Sequence, residues 1–102
     1  MHKRILFAAT AAWLLAAPLA RADEALLKKY GCVACHAMDK KLIGPAYRDV
    51  TKKYKGRKDA VATLSAKVKK GGQGAWGQVP MPPNPQVPDA DLRTMVEYIL
   101  SR

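Results

Sequence analysis

Towards the end of the chain, Leu92, Met95, Val96, Ile99 and Leu100 recur at i, i+3, i+4, i+7 and i+8, the period of a helix that buries one face. Pro88 suits the first turn of that helix, Asp89 and Asp91 suit its positive end, and Tyr98 can pack beside the stripe. A short helix is predicted over 23–30, where Leu26, Leu27 and Tyr30 form an apolar side. Its acidic start, Asp23 and Glu24, and basic end, Lys28 and Lys29, match the helix dipole. Residues 46–54 and 59–70 read as two more helices. In the second, Val61, Leu64 and Val68 share one side and basic residues the other. Gly56 separates them and Gly71-Gly72 ends the pair. Gly31 either lets the first helix cross closely against another or simply turns the chain ahead of Cys32. With no internal repeat and no strand-like alternation, the fold class is all-α. About four to five short helices are expected, the first and last of them crossing.

Two stretches fall outside this pattern. Residues 73–88 hold Gly74, Gly77 and every proline after Pro45, in Val79-Pro80-Met81-Pro82-Pro83-Asn84-Pro85 and Pro88. Proline fixes φ and donates no backbone hydrogen bond, so this loop is stiff without being helix or sheet, suited to holding one side chain in place. At the other end, His2-Lys3-Arg4, an apolar run from Ile5 to Leu19 and a small-x-small Ala20-Arg21-Ala22 have the layout of a secretory leader. The run is short and alanine-rich for a membrane span. Cleavage is expected after Ala22, leaving a single domain over 23–102, a periplasmic location and no stable membrane insertion.

Charge changes with that cleavage. The full chain has 18 basic and 8 acidic residues, a formal net charge of +10. Without Lys3, Arg4 and Arg21 the balance is 15 basic against 8 acidic, or +7, which favours acidic partner surfaces. Nucleic acid is excluded as a partner, because the lysines form no arginine-rich run or recognised binding motif and the protein leaves the cytoplasm. Lys52, Lys53, Lys55, Lys58, Lys67, Lys69 and Lys70 read as a solvated face.

The chemistry centres on Cys32-Val33-Ala34-Cys35-His36. A C-x-x-C-H run is the attachment signature of a c-type haem: two thiols on one turn can each form a thioether with a vinyl group, and the adjacent imidazole can reach the iron. The competing readings are a disulfide redox pair, half of a zinc site, or two buried thiols. A redox pair expects a βαβ pattern that is missing, and zinc needs about four ligands. Covalent haem would also staple a domain of this size, whose part after residue 22 has no Phe and one Trp. A ligating histidine needs an acceptor for its other ring N–H, and the carbonyl of Pro45, in the Gly44-Pro45 turn, is the candidate. No second histidine follows His2 and His36, so a methionine is the candidate sixth ligand. Met38 is too near His36 to reach the other haem face and Met95 sits in a core stripe. Met81, in the stiff loop, remains.

At Cys32–His36, Gly44-Pro45-Ala46-Tyr47, Gly74-Ala75-Trp76-Gly77 and Val79–Asn84, the chain resembles the short class I monohaem cytochromes c of bacterial periplasms, particularly those that deliver electrons to the haem-containing nitrite reductase. The resemblance covers essentially all of the chain after the leader. It implies thioethers at Cys32 and Cys35, iron ligation by His36 and Met81, and a hydrogen bond from His36 to Pro45. It further implies an Asn84 amide turned toward the Met81 sulfur and propionate contacts from Trp76 and Lys67. Lysine at 67, where many relatives have arginine, lacks the bidentate fork.

The expected function is one-electron transfer by a monomer carrying one covalently bound haem c, not enzymatic turnover. Redox partners with carboxylate-bearing surfaces are expected: a nitrite reductase, a respiratory complex or a terminal oxidase. The alternatives are a five-coordinate haem sensor or enzyme, with Met81 merely packing, a haem-free thiol–disulfide oxidoreductase, and a tethered module of a larger respiratory complex.

Overall fold

The computed structural model describes residues 19–102, with side chains from Asp23 onward, so most of the leader expected over 1–22 lies outside the described residues. Four helices follow in order: α1 (Leu19–Lys29), α2 (Tyr47–Tyr54), α3 (Ala60–Lys70) and α4 (Asp89–Leu100), with one 3₁₀ turn at Cys32–Ala34. Among the described residues there is no strand, and the fold is all-α.

The stripe on α4 is the hub. Leu92, Met95 and Val96 are buried, and α1, α2 and α3 each pack on this helix. Leu27 comes to it from α1, Val50 and Tyr54 from α2, and Leu64 from α3. Each such side chain stabilises the fold by roughly 1.5–3 kcal/mol when fully buried. Polar ties then set how the helices lie. Tyr30 donates its hydroxyl to Asp91 at 2.6 Å, and Tyr98 donates to Glu24 at 2.8 Å. The end of α1 therefore lies by the start of α4, and its middle by the end of α4. Thr51 Oγ1 donates to the Ile99 carbonyl at 2.7 Å, which also accepts from the Arg102 N–H at 3.2 Å, tying α2 to the last turn of α4.

Two local readings change and one is resolved. Helix α1 is described from Leu19 onward, so in the uncleaved chain Asp23 and Glu24 follow the first described turn, and Glu24 accepts from Tyr98. Pro88 stands just before α4 with extended backbone (φ −60, ψ 145). Its carbonyl, not its ring, starts the helix by accepting from the Leu92 N–H at 2.9 Å. A Cβ on Gly31 would meet nothing within 4 Å, so close crossing is not its role. Its φ of 75 is: it turns the chain left-handed into the Cys32 turn.

Both tying phenols hold their protons above the usual range, Tyr30 through its bond to Asp91 first and Tyr98 through burial first, then Glu24. A group whose folded pKa is raised stabilises the fold below the unfolded value, about 10 for tyrosine, and loses that contribution as pH climbs through the folded value. The double variant Tyr30→Phe, Tyr98→Phe is therefore expected to be less stable than wild type at pH 8, and the gap to close as pH rises towards 12. Guanidinium unfolding midpoints across that range check this, the difference between proteins removing the common lysine titration.

Candidate functional site

Past the Cys32 turn the backbone folds back on itself. His36 N–H donates to Cys32 carbonyl at 3.0 Å and Gly44 N–H to Cys35 carbonyl at 2.8 Å, so the 37–43 loop closes under the cysteines. Helix α2 then starts against that loop. The Tyr47 and Arg48 N–H groups, which no helix carbonyl can take, donate to Ala37 at 2.9 Å and Met38 at 3.1 Å.

This loop fixes one imidazole. His36 Nδ1 lies 2.8 Å from the Pro45 carbonyl oxygen, which can only accept, so Nδ1 carries the proton and Nε2 keeps a free lone pair. The Tyr47 ring stacks on the imidazole with centroids 5.0 Å apart and planes 17° from parallel. Gly44 lies so close to the imidazole that a Cβ there would come within 2.5 Å of His36 Cε1 and 2.9 Å of Nδ1. Tyr47 is buried, and burial first, then the two cysteines, raises its hydroxyl well above the ordinary value, so it stays neutral.

Met81 is fixed from the other end of the chain. Gly72 and Met81 exchange two backbone hydrogen bonds, 3.1 and 2.8 Å, pinning the proline-rich loop to the exit of α3. Gly71 makes room: its φ is 71, and a Cβ there would meet the Met81 carbonyl oxygen at 2.5 Å. Asn84 N–H adds bonds to the Val68 and Lys69 carbonyls at 3.0 and 3.2 Å.

Between these two anchors lies an open cavity of about 720 Å³, with mostly apolar walls. All eight residues singled out from the sequence line it: Cys32, Cys35, His36, Pro45, Lys67, Trp76, Met81 and Asn84. Of the other two methionines, Met95 also lines the cavity but is buried in the core stripe of α4, and Met38 packs against that core from outside the cavity lining. The Asn84 amide donates to the Pro82 carbonyl at 3.1 Å and reaches the Val68 carbonyl at 3.5 Å, bracing the loop backbone. Trp76 has a partner that helical spacing did not show. Lys53 Nζ sits 4.6 Å from its ring centre and donates to the Ala75 carbonyl at 3.0 Å, so this lysine clamps the rim instead of only being solvated.

The donor set suits an iron porphyrin: two free thiols three positions apart, an imidazole with an available Nε2, a thioether, and apolar walls around them. Its volume lies within the roughly 300–1,000 Å³ of small-molecule and cofactor sites. Cys32 does not suit the part of a redox nucleophile. Burial raises the Cys32 pKa, the reverse of the lowered value a thiol–disulfide nucleophile needs.

The family model described as Cytochrome c matches residues 22–102. The chain belongs to the cytochrome c family. It is 56% identical over 80 residues to cytochrome c-552 of Hydrogenobacter thermophilus, a match covering 78% of this chain and 81% of that one. It is 47% identical over 95 residues to cytochrome c-552 of Nitrosomonas europaea, covering 93% and 90%. The crystal structure of wild-type Nitrosomonas europaea cytochrome c552 superposes with a TM-score of 0.74 at 45% identity, covering 76% of this chain and 96% of that one. The class 1 cytochrome MtoD of Sideroxydans lithotrophicus superposes with a TM-score of 0.67 at 29% identity, covering 79% and 92%. The chain is thus a small class I monohaem cytochrome c with one covalently bound haem c, an electron-transfer protein and not an enzyme.

Gly44, Tyr47, Lys53 and Gly71 act on the site through contacts between segments distant in sequence or through φ, and periodicity carries no sign of either. Gly44→Ala is expected to cost about 1–3 kcal/mol through overpacking and to swing the His36 ring off Pro45. Thermal unfolding and the NMR shifts of the His36 ring protons check both parts; unchanged ring shifts would contradict the second.

Proposed function

We propose that this cytochrome is a periplasmic one-electron shuttle in which Cys32 and Cys35 carry the thioether links and His36 and Met81 are the two axial ligands. When bound, the haem supplies a single iron that cycles between ferrous and ferric states. The chain's own residues supply the rest. Pro45 holds the Nδ1 proton, which fixes the His36 tautomer and leaves the Nε2 lone pair free. The Gly72–Met81 bridge holds the methionine's backbone in one place at little further entropic cost. Were the iron held by His36 and Met81, ligands fixed this firmly would change little with oxidation state, which would keep reorganisation small, and no open position would be left for substrate. The observation that carries this reading is the convergence of both thiols, the imidazole and Met81 on one apolar cavity.

Export and partners follow from charge and pattern. The 95 residues matched to the Nitrosomonas europaea relative exceed the 80 that follow Ala22, so that likeness runs into the leader-like segment. No helix of the described residues is long and apolar enough to cross a membrane. A balance of +7 after Ala22 steers the protein towards carboxylate-bearing redox partners, such as a haem-containing nitrite reductase, a respiratory complex or a terminal oxidase. Trp76 and Lys67 line the cavity wall, which supports a role for them in receiving propionates.

Intact mass and a visible spectrum of the periplasmic protein test haem, ligation and cleavage together: the mass expected is that of residues 23–102 plus one haem. A pale product at the bare polypeptide mass contradicts the reading. Met81→Ala should retain the haem, become high-spin or open to carbon monoxide, and lose potential on the order of 0.1 V within the roughly 0.8 V range that axial ligation spans. A ferric sulfur-to-iron charge-transfer band surviving in that variant rules out Met81.

A further inference from the structure

A second cleft, of about 430 Å³, opens between α2 and the end of α4 and shares no lining residue with the haem cavity. Four cations line it: Arg48 and Lys52 one turn apart on α2, Lys55 just past that helix, and Arg102 after α4. No aspartate or glutamate side chain lines it. The ion pairs formed elsewhere among the described residues use other cations: Arg57 with Asp59, Lys69 with Asp89, and Arg93 with Glu97. None of the cleft's four cations forms an ion pair with an aspartate or glutamate within 4 Å among the described residues.

Two of the four are nevertheless held in place. Arg48 Nη2 donates to the Asp39 carbonyl at 3.2 Å, and the Arg102 guanidinium lies 4.3 Å from the centre of the Tyr98 ring. Such tethering lowers the entropic cost of meeting an anion. Below the cations the floor is apolar, formed by Tyr54, Ala60 and Leu100. Tyr54 and Ala60 are buried and Leu100 half-buried, so the apolar surface is recessed. A bilayer calls for the opposite relief, with apolar side chains standing out of a basic face. The large apolar side chains that do stand out are Val33, Leu42, Ile43, Trp76 and Val79, and all but Val33 belong to the haem cavity.

We propose that this cleft is a second docking surface, which takes an acidic segment of a partner protein with an apolar side chain between its carboxylates. The apolar side chain fills the recess and the carboxylates meet the four cations. On α2, Asp49 and Lys53 face the haem cavity and its rim, whereas Arg48 and Lys52 face the cleft. A partner held here therefore leaves the haem side open to a second one.

The probe is a capped Glu-Glu-Leu-Glu-Glu peptide, titrated into the ¹⁵N-labelled, reduced holoprotein at low salt. Saturable amide shifts are expected at Thr51, Gly56, Ala60 and Leu100. An exposed ion pair contributes a factor of roughly 1.5 to 5 in affinity, so Lys52→Glu with Lys55→Glu, which also adds repulsion, should weaken binding about tenfold or more. Lys28→Glu with Lys40→Glu makes the same charge change outside both cavities and should leave most of the affinity. Replacing the central Leu by Ser should weaken binding several-fold, and added salt should weaken it further as the Debye length shrinks to about 10 Å at 0.1 M. Shifts centred on Lys41, Ile43 and Val79 would overturn the proposal in favour of the haem mouth. Equal losses in the two double variants, or no saturable shift, would overturn it as well. So would binding to phosphatidylglycerol vesicles that needs Lys52 and Lys55 while the peptide shifts nothing. Reduction by a small neutral reagent should proceed equally in all variants, which separates this surface from the electron-transfer reading.

Discussion

An imidazole offers a lone pair in one direction only while its other nitrogen is committed elsewhere. Here that commitment is the 2.8 Å contact between His36 Nδ1 and the Pro45 carbonyl, and much of the local structure serves it. Proline cannot donate and fixes its own φ, so its carbonyl is held in a turn that does not yield. Gly44 lets that turn lie against the imidazole, and Tyr47 covers the ring. The first N–H groups of α2 bind back to the loop after His36, so the helix that carries Tyr47 and the loop that carries His36 move as one piece.

The helices supply the frame rather than the chemistry. Helix α4 gathers the other three, and two phenol–carboxylate bonds lock it to α1. Chemistry sits where the helices stop: at the turn after α1, the entry of α2, the exit of α3 and the proline-rich loop. Those ends leave backbone groups unpaired, and the loops bearing functional side chains pair with them. Placement of the site and completion of the helices are the same set of hydrogen bonds.

Much of this was legible in the residue pattern because its signals are short-range. The α4 stripe, the C-x-x-C-H run and the proline cluster each lie within about a dozen positions, and each was found. So was the pairing of His36 with Pro45, nine residues apart, since a turn so close to the histidine limits the acceptors within reach. What stayed hidden depends on segments that meet only after folding. Nothing in the order of residues sets Lys53 beneath Trp76, Glu24 against Tyr98, or the Asn84 amide on the Pro82 carbonyl.

The two backbone bonds between Gly72 and Met81 make the methionine side of the site an appendage of α3, while the histidine side is built into α2. The two sides therefore fail separately. Breaking a pair of bonds at a helix exit exposes little apolar surface, so the proline-rich strap can lift away with the four-helix frame still closed. Dislodging the imidazole means opening the root of α2. Under mild stress the strap that carries Met81 would come away well before the turn that holds His36, passing through a form whose helices are still packed.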